Sequence, residues 1–362
     1  MSKISIAQFL AEQATGEQDS SGEFTLNSAK ALEKLAQHQL TDPSLWAVKL
    51  AQAGVALGAS RLAFQLDYSR TTVRFYGTSH LDATEIARLL LSGELPAEGW
   101  RRHLAVGLRA FSGQNPLRLS WSDGQGRKVI WEGEQLEVVQ GEPLQDASLE
   151  VRAELPPVPR SLFRLNYVLR QTMAEHRSLS DRLQLCHVPI TLDGRSISRQ
   201  FPPYPRPVVS KLGQSGMRRR HIALVMGKGN LPLALPKVES STLDLQASQL
   251  PEPRLDPPRR VGAVMVLRPL APESRCFFIK DGAMLDSLQL DFYNNHLKLD
   301  LYLDADDLGT DLSEFKPRHA QVDFRPIKAE LTRWLETRGP RHLTEAERTD
   351  LPYAIKHLKL VR

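Results

Sequence analysis

The chain has 362 residues, a length that suits two domains, and its 41% apolar content is enough for real cores. Its 47 basic residues against 42 acidic ones give a net charge of +5, which permits an acidic or nucleic-acid partner without demanding one. Two distant cysteines, Cys186 and Cys276, argue against a disulfide framework or a CxxC metal site, and no apolar run reaches the roughly 18 residues of a membrane span.

Both cysteines therefore read as small core residues. The first residues, MSKISIAQFLAEQ, hold no apolar run of signal-peptide length, so the expectation is a soluble, cytoplasmic protein.

In chain order, residues 3–13 read as a short amphipathic helix with Ile4, Ile6, Phe9 and Leu10 apolar, ended by the polar run TGEQDSSGE at 15–23. Residues 28–39 read as a helix capped by Ser28. TDPS at 41–44 starts another: Thr41 or Asp42 caps it, Pro43 suits a first turn that needs no N–H, and Gly58 stops it. Leu62, Phe64, Leu66 and Tyr68, followed after Ser69-Arg70 by Val73 and Phe75, alternate with period two and predict a hairpin. DATEIARLLLSG at 82–93 is a helix with Asp82 as cap, Glu85 three residues on, and Gly93 as stop. A helix at 101–111, strands at 117–121, 128–132 and 149–155, and a long helix at 161–177 follow. VPITLDGRSIS at 188–198 carries a hairpin signal at Asp193-Gly194.

This order predicts an α+β domain with helices on one face of a mostly antiparallel sheet. QFPPYPRP at 200–207 reads as a linker, and a second α+β domain over 205–362 follows, with a flexible insertion at 236–260. Its strands are expected at 262–268, 276–280, 286–292 and 296–303, with a helix at 326–337 and a short C-terminal helix.

Three stretches carry a resemblance. LWAVKLAQAGVALGAS followed by RLAFQL, then VRFYGTSHLDATEIARLLLSG, then HLAVGLRAF, resemble in order and spacing the three nucleotide motifs of the GHKL superfamily. That is the Bergerat-type ATP-binding fold of gyrase B, histidine kinases, MutL and the ninety-kilodalton heat-shock chaperones, whose N-terminal domain is the nearest likeness. The resemblance covers residues 22–200, after an N-terminal segment of residues 1–21, and implies a GHKL-like α/β sandwich. It also implies that the second domain is ribosomal-protein-like, with a basic loop reaching toward the nucleotide site.

The family's chemistry does not carry over. Lys49 stands where the resemblance places the glutamate that activates water, and a lysine is no general base unless its acidity is strongly altered. Ala53 stands where an asparagine would hold Mg²⁺, and alanine has no oxygen for a hard cation. The second motif keeps Gly77 but no carboxylate, with Ser79 and His80 nearby, and the third keeps only Gly107 beside Ala105. Lys49, Ala53, Gly77 and Gly107 are therefore expected to mark a vestigial nucleotide site. The simplest reading of Lys49 is a solvated lysine, and the alternative is an ammonium that fills the vacated pocket. His80 and His103 read as surface or cap residues.

The expectation is a catalytically inactive GHKL-like protein with no catalytic residue, no metal and no cofactor, acting as a binding or scaffolding module for another protein or a second copy. ATP with Mg²⁺ is the remaining cofactor alternative. It would belong to a nucleotide-switched chaperone-like or repair-like ATPase, with Glu33 as the nearest substitute carboxylate. A third reading is a nucleic-acid binder using residues 215–228, where Arg218, Arg219, Arg220 and Lys228 would contact phosphates. The Gly-Lys-Gly at 227–229 lacks P-loop spacing and reads as a turn. The aspartates of LDADDLGTDLSEF at 303–315 lack EF-hand spacing, and Asp311 or Ser313 reads as a cap.

An emptied nucleotide cavity would cost stability in proportion to its volume. Phe75 or Tyr76 and Leu104 or Leu108 are therefore expected to occupy it, with the lid-like segment 94–111 ordered without ligand.

Overall fold

The computed structural model describes residues 3–5, 40, 42–78, 81–91, 96, 99–114, 116–132, 135–157, 162–198, 220–233, 242–246, 259–269, 272–310, 315–318, 322–337 and 339–361. The chain divides into two compact units, one of Met1–Gln184 with Val188–Ser198, the other of Leu185–His187 with Arg199–Arg362. The helix read at 28–39, Glu33, Ser79, His80, and the linker at 200–207 lie outside the described residues.

The first unit is built on a nine-stranded sheet. Its strands are β1 (Lys3–Ser5), β2 (Arg61–Leu66), β3 (Arg70–Tyr76), β4 (Arg118–Asp123), β5 (Arg127–Glu132), β6 (Gln135–Gln140), β7 (Leu149–Glu154), β8 (Ile190–Leu192) and β9 (Arg195–Ser196). Their spatial order is β1-β6-β5-β4-β7-β3-β2-β8-β9. Only β2 and β8 pair in parallel; the other pairings are antiparallel. Among the described residues, four helices accompany the sheet: α1 (Trp46–Ala56), α2 (Ala83–Leu91), α3 (Gly99–Ser112) and α4 (Leu162–Arg182). This is the expected mixed, mostly antiparallel sheet with helices on one face.

The alternation that predicted strands also decides which face is covered. Register aligns Phe64, Val73, Val151, Trp121 and Val129 across five strands, and all five are fully or almost fully buried. Each large apolar side chain so buried contributes roughly 1.5–3 kcal/mol. One residue along, the aligned row is Ala63, Arg74, Glu150, Ser122 and Lys128. There Arg74 Nε donates to Glu150 Oε2 at 2.6 Å and Arg152 pairs with Glu150 Oε1 at 3.0 Å. The second face is thus laced with ion pairs.

Local signals explain the helix ends. Asp42 accepts the Ser44 N–H at 2.9 Å, and Gly58, at φ +74, lets the chain leave α1. Asp82 accepts the Thr84 N–H at 2.7 Å and opens α2. Three expectations need correction. Residues 3–5 form a strand against β6 rather than the first turn of a helix, because Ile4 alternates with polar neighbours and meets Leu136. Tyr68 lies past the end of β2 and is exposed. Strand β6 has no counterpart in the sequence reading.

The second unit has an eight-stranded sheet: seven strands follow the path β11 (Thr242–Gln246), β10 (Arg220–Leu233), β12 (Arg259–Pro269), β16 (Leu297–Asp304), β13 (Arg275–Lys280), β15 (Leu288–Asp291) and β17 (Lys359–Leu360), and the eighth, β14 (Ala283–Met284), pairs with β13. The β13–β16 pair is parallel. The Gly-Lys-Gly read as a turn lies inside β10, where pairing with β12 shifts register between Met226 and Leu231. Strand β11 falls within the stretch read as a flexible insertion, and β12 begins at its end. Helix α5 (Arg325–Thr337) buries Ile327, Leu331 and Trp334 at helical spacing. The short helices α6 (Gly339–His342), α7 (Glu345–Thr349) and α8 (Leu351–His357) follow, α7 opened by a Thr344/Glu347 capping box. Among the described residues, no helix is long and apolar enough to cross a membrane.

Candidate functional site

Helix α1 is buried all round, every residue from Trp46 to Val55 included. On the sheet side, a β-carbon on Gly54 would meet Leu62 Cδ2 at 2.5 Å. On the helix side, Trp46 stacks on Phe111 of α3 with ring centroids 4.0 Å apart. Lys49 lies inside this sandwich with no exposure, and its Nζ is 3.4 Å from Nδ1 of His103, which is 3% exposed. The solvated reading of Lys49 and the surface reading of His103 are therefore both corrected. The cause is the packing of α1 between the sheet and α3, which leaves it no wet face. Ala53, one turn on, is also fully buried. Neither Lys49 nor Ala53 offers an oxygen to a hard cation.

The two motif glycines do not meet in one place. Gly77 ends β3 at φ +67, and a β-carbon there would lie 2.5 Å from Ser60 Oγ, near the C-terminal end of α1. Gly107 lies inside α3, facing the N-terminal half of α1. A β-carbon there would lie 2.8 Å from Leu50 Cδ2 and 3.1 Å from the Trp46 carbonyl oxygen. Inside a helix its N–H belongs to the helical ladder, so this glycine serves close helix packing rather than a phosphate-cradling loop. Phe75, Leu104 and Leu108 are fully buried, whereas Tyr76 is half-buried with the Arg61 guanidinium 3.9 Å above its ring. Of the lid-like segment 94–111, Gly99 onward is helix; residues 94, 95, 97 and 98 lie outside the described set.

Two polar groups in this core escaped the sequence reading. Glu175 of α4 is 6% exposed, and its Oε1 accepts from Trp46 Nε1 at 2.9 Å and Gln114 Nε2 at 3.2 Å. Burial pushes its carboxyl above the usual range, against the lowering effect of those donors. Arg109 of α3 is 2% exposed and donates to the Leu89 and Leu90 carbonyls at 3.0 and 3.2 Å. It thereby satisfies acceptors at the C-terminus of α2, and burial lowers its pKa. The spacing of Arg109 from α2 on the sequence gives no sign of this.

In the second unit, Arg218 and Arg219 lie outside the described residues, and Arg220 is placed only as the first residue of β10. Lys228 lines a cleft of about 740 Å³ together with Asn230, Asp304, Asp306, Asp307 and Asp323. The acids hold turns: Asp304 Oδ2 accepts the Asn230 N–H at 2.6 Å, and Asp306 accepts from Asn230 Nδ2 and the Asp281 N–H, both at 2.7 Å. Burial raises the Asp304 pKa. A phosphate approaching Lys228 here meets several carboxylates. Asp311 and Ser313 lie outside the described residues. Among the described residues, no group of three or more His, Cys, Asp and Glu side chains is arranged to hold a metal ion.

No family model matches the sequence, and no curated protein matches it. Solved structures similar to the chain include two examples. One is the N-terminal domain of a DNA repair protein, with 12% identity over 75% of this chain and 86% of that one and a TM-score of 0.38. The other is the ATPase region of Saccharomyces cerevisiae topoisomerase II, with 9% identity over 82% of each chain and a TM-score of 0.42.

Proposed function

We propose that the chain is a catalytically inactive GHKL-like protein that works as a binding or scaffolding module for another protein or a second copy of itself. The observation that carries this reading is Lys49: fully buried, with Nζ 3.4 Å from His103 Nδ1, at the position where the resemblance calls for a water-activating carboxylate. Removing an ammonium from water is costly, so a lysine held inside this core is part of the packed structure rather than a mobile reagent. Ala53 offers Mg²⁺ nothing, and Gly107 is engaged in helix packing. These residues do not fit Mg²⁺–ATP.

Isothermal titration with ATP and Mg²⁺, paired with a phosphate-release assay, tests the reading. The expected result is no heat of binding and no turnover. Micromolar affinity, or turnover that disappears in Lys49→Ala, overturns it.

A further inference from the structure

Helix α4 carries two adjacent polar residues with opposite destinations. Glu175 points into the core. His176 sits at the surface, its side chain about one-third exposed, with both ring nitrogens engaged. Nδ1 is 2.7 Å from the Thr172 carbonyl oxygen, and Nε2 is 2.6 Å from Asp193 Oδ2. A carbonyl oxygen only accepts, and an ionised carboxylate only accepts. Both nitrogens can therefore serve together only in the doubly protonated ring, an imidazolium.

Asp193 is itself a junction. It occupies the turn between β8 and β9 at φ +49, a conformation an aspartate adopts at a cost and keeps when its surroundings fix it. Its N–H donates to the Phe64 carbonyl at 2.8 Å, and its Oδ1 accepts the Leu66 N–H at 2.9 Å. One side chain thus ties the hairpin to the end of β2, and its remaining oxygen ties both to α4.

We propose that His176 and Asp193 form a pH-sensitive latch, closed with an imidazolium and a carboxylate, that fastens α4 to the β8–β9 turn and the end of β2. On losing a proton, the ring can keep the carbonyl bond or the carboxylate bond, not both. The latch then opens and Asp193 holds the strand end alone. The charged groups acting on the ring are Asp193 from the hairpin and Glu175 from its own helix. The β2 end contributes the Leu66 N–H to Asp193, and neighbouring Asp67 is occupied by the Tyr68 N–H at 2.7 Å. On α4 itself, Arg177 is turned to Asp181 at 3.3 Å. Burial pulls the His176 pKa down, but the Thr172 carbonyl, the Asp193 bond and the two carboxylate charges outweigh it and raise it. A raised folded-state value means that, wherever Asp193 is ionised, the latch is intact below that value and is lost as pH rises through it. The inference is independent of the nucleotide reading above.

Side-chain NMR of the full chain, with selectively labelled histidine, reads the first consequence. His176 titrates above the ordinary histidine value with both ring protons present when charged, and Asp193→Asn lowers that titration point. Asparagine tolerates the turn's positive φ, so the variant should fold. The second consequence is read by amide exchange, corrected for its intrinsic pH dependence. Protection at Leu66 and Asp193 falls several-fold across the His176 titration in the natural protein and stays flat in His176→Gln. A wild-type ring that titrates at or below the ordinary value, or an amide response that survives in His176→Gln, overturns the latch.

Discussion

The β-carbon that Gly54 lacks would lie 2.9 Å from Cδ1 of Phe75. Helix α1 therefore rests on the sheet at a distance that only glycine permits, with Leu62 Cδ2 closer still at 2.5 Å. Both side chains are fully buried and have no solvent to swing into. Alanine gains helix propensity of up to about 1 kcal/mol, but overpacking costs about 1–3 kcal/mol. Gly54→Ala is expected to lower the urea midpoint of the first unit. An unchanged or higher midpoint would show that the helix can lift off the sheet freely.

Lys49 gives an independent measurement of the same core. An apolar side chain of similar length in place of a buried lysine removes the cost of keeping a polar amine out of water. Lys49→Met is expected to leave the melting temperature unchanged or raise it, whereas Lys49→Ala leaves a cavity and lowers it by the equivalent of about 2–5 kcal/mol. The double variant Lys49→Glu with Ala53→Asn introduces the acid and amide that the resemblance calls for. With Phe75, Leu104 and Leu108 packed as they are, it is expected to show no ATP turnover. Turnover in the double variant would mean that a usable pocket persists beside α1.

Asp300 supplies a pH signature for the second unit. Burial on β16, between β12 and β13, pushes its carboxyl up to about 6, although Arg268 pairs with it at 2.6 Å. The native state then holds its proton more tightly than the unfolded chain does. The contribution of Asp300 to stability is highest below the ordinary carboxyl range, falls as pH rises from about 4 to about 6, and levels off above that. The full span is at most about 3 kcal/mol. Amide exchange at Val264 and Leu299, corrected for intrinsic rates, should track this fall, and Asp300→Asn should flatten it. A slope of opposite sign would mean that the Arg268 pair dominates burial.

The sequence made some of this visible and hid the rest for physical reasons. Asp42, Gly58 and Asp82 act on neighbours a few residues away, and Asp193-Gly194 forms the turn between adjacent strands, so these local roles could be read directly; the bonds from Asp193 to Phe64 and Leu66 could not. Period-two alternation at 62–75 displayed a half-covered sheet in the same way. Lys49 could not be placed, because its burial depends on α3 and the sheet closing over α1 from both sides. Glu175 bonds to Trp46 across 129 positions, a separation with no local pattern to detect. Strand β10 was hidden by its own irregularity: Gly227 and Lys228 interrupt the alternation where the ladder changes register.

The parallel pair of β2 and β8 bears on how the protein comes into being. Leu62 meets Ile190, and Phe64 meets Leu192, so partners on the order of a hundred residues apart must be joined after the intervening antiparallel meander exists. During synthesis, β2 emerges early and finds β3 at once, while its other edge waits for the whole of α4 to leave the ribosome. A nascent chain stopped short of Val188 therefore carries a strand with one row of backbone donors and acceptors unclaimed, open to pairing with another nascent chain. The short β8–β9 hairpin is the piece that covers that edge of β2, so its arrival moves the exposed backbone row from a six-residue strand to the two-residue β9.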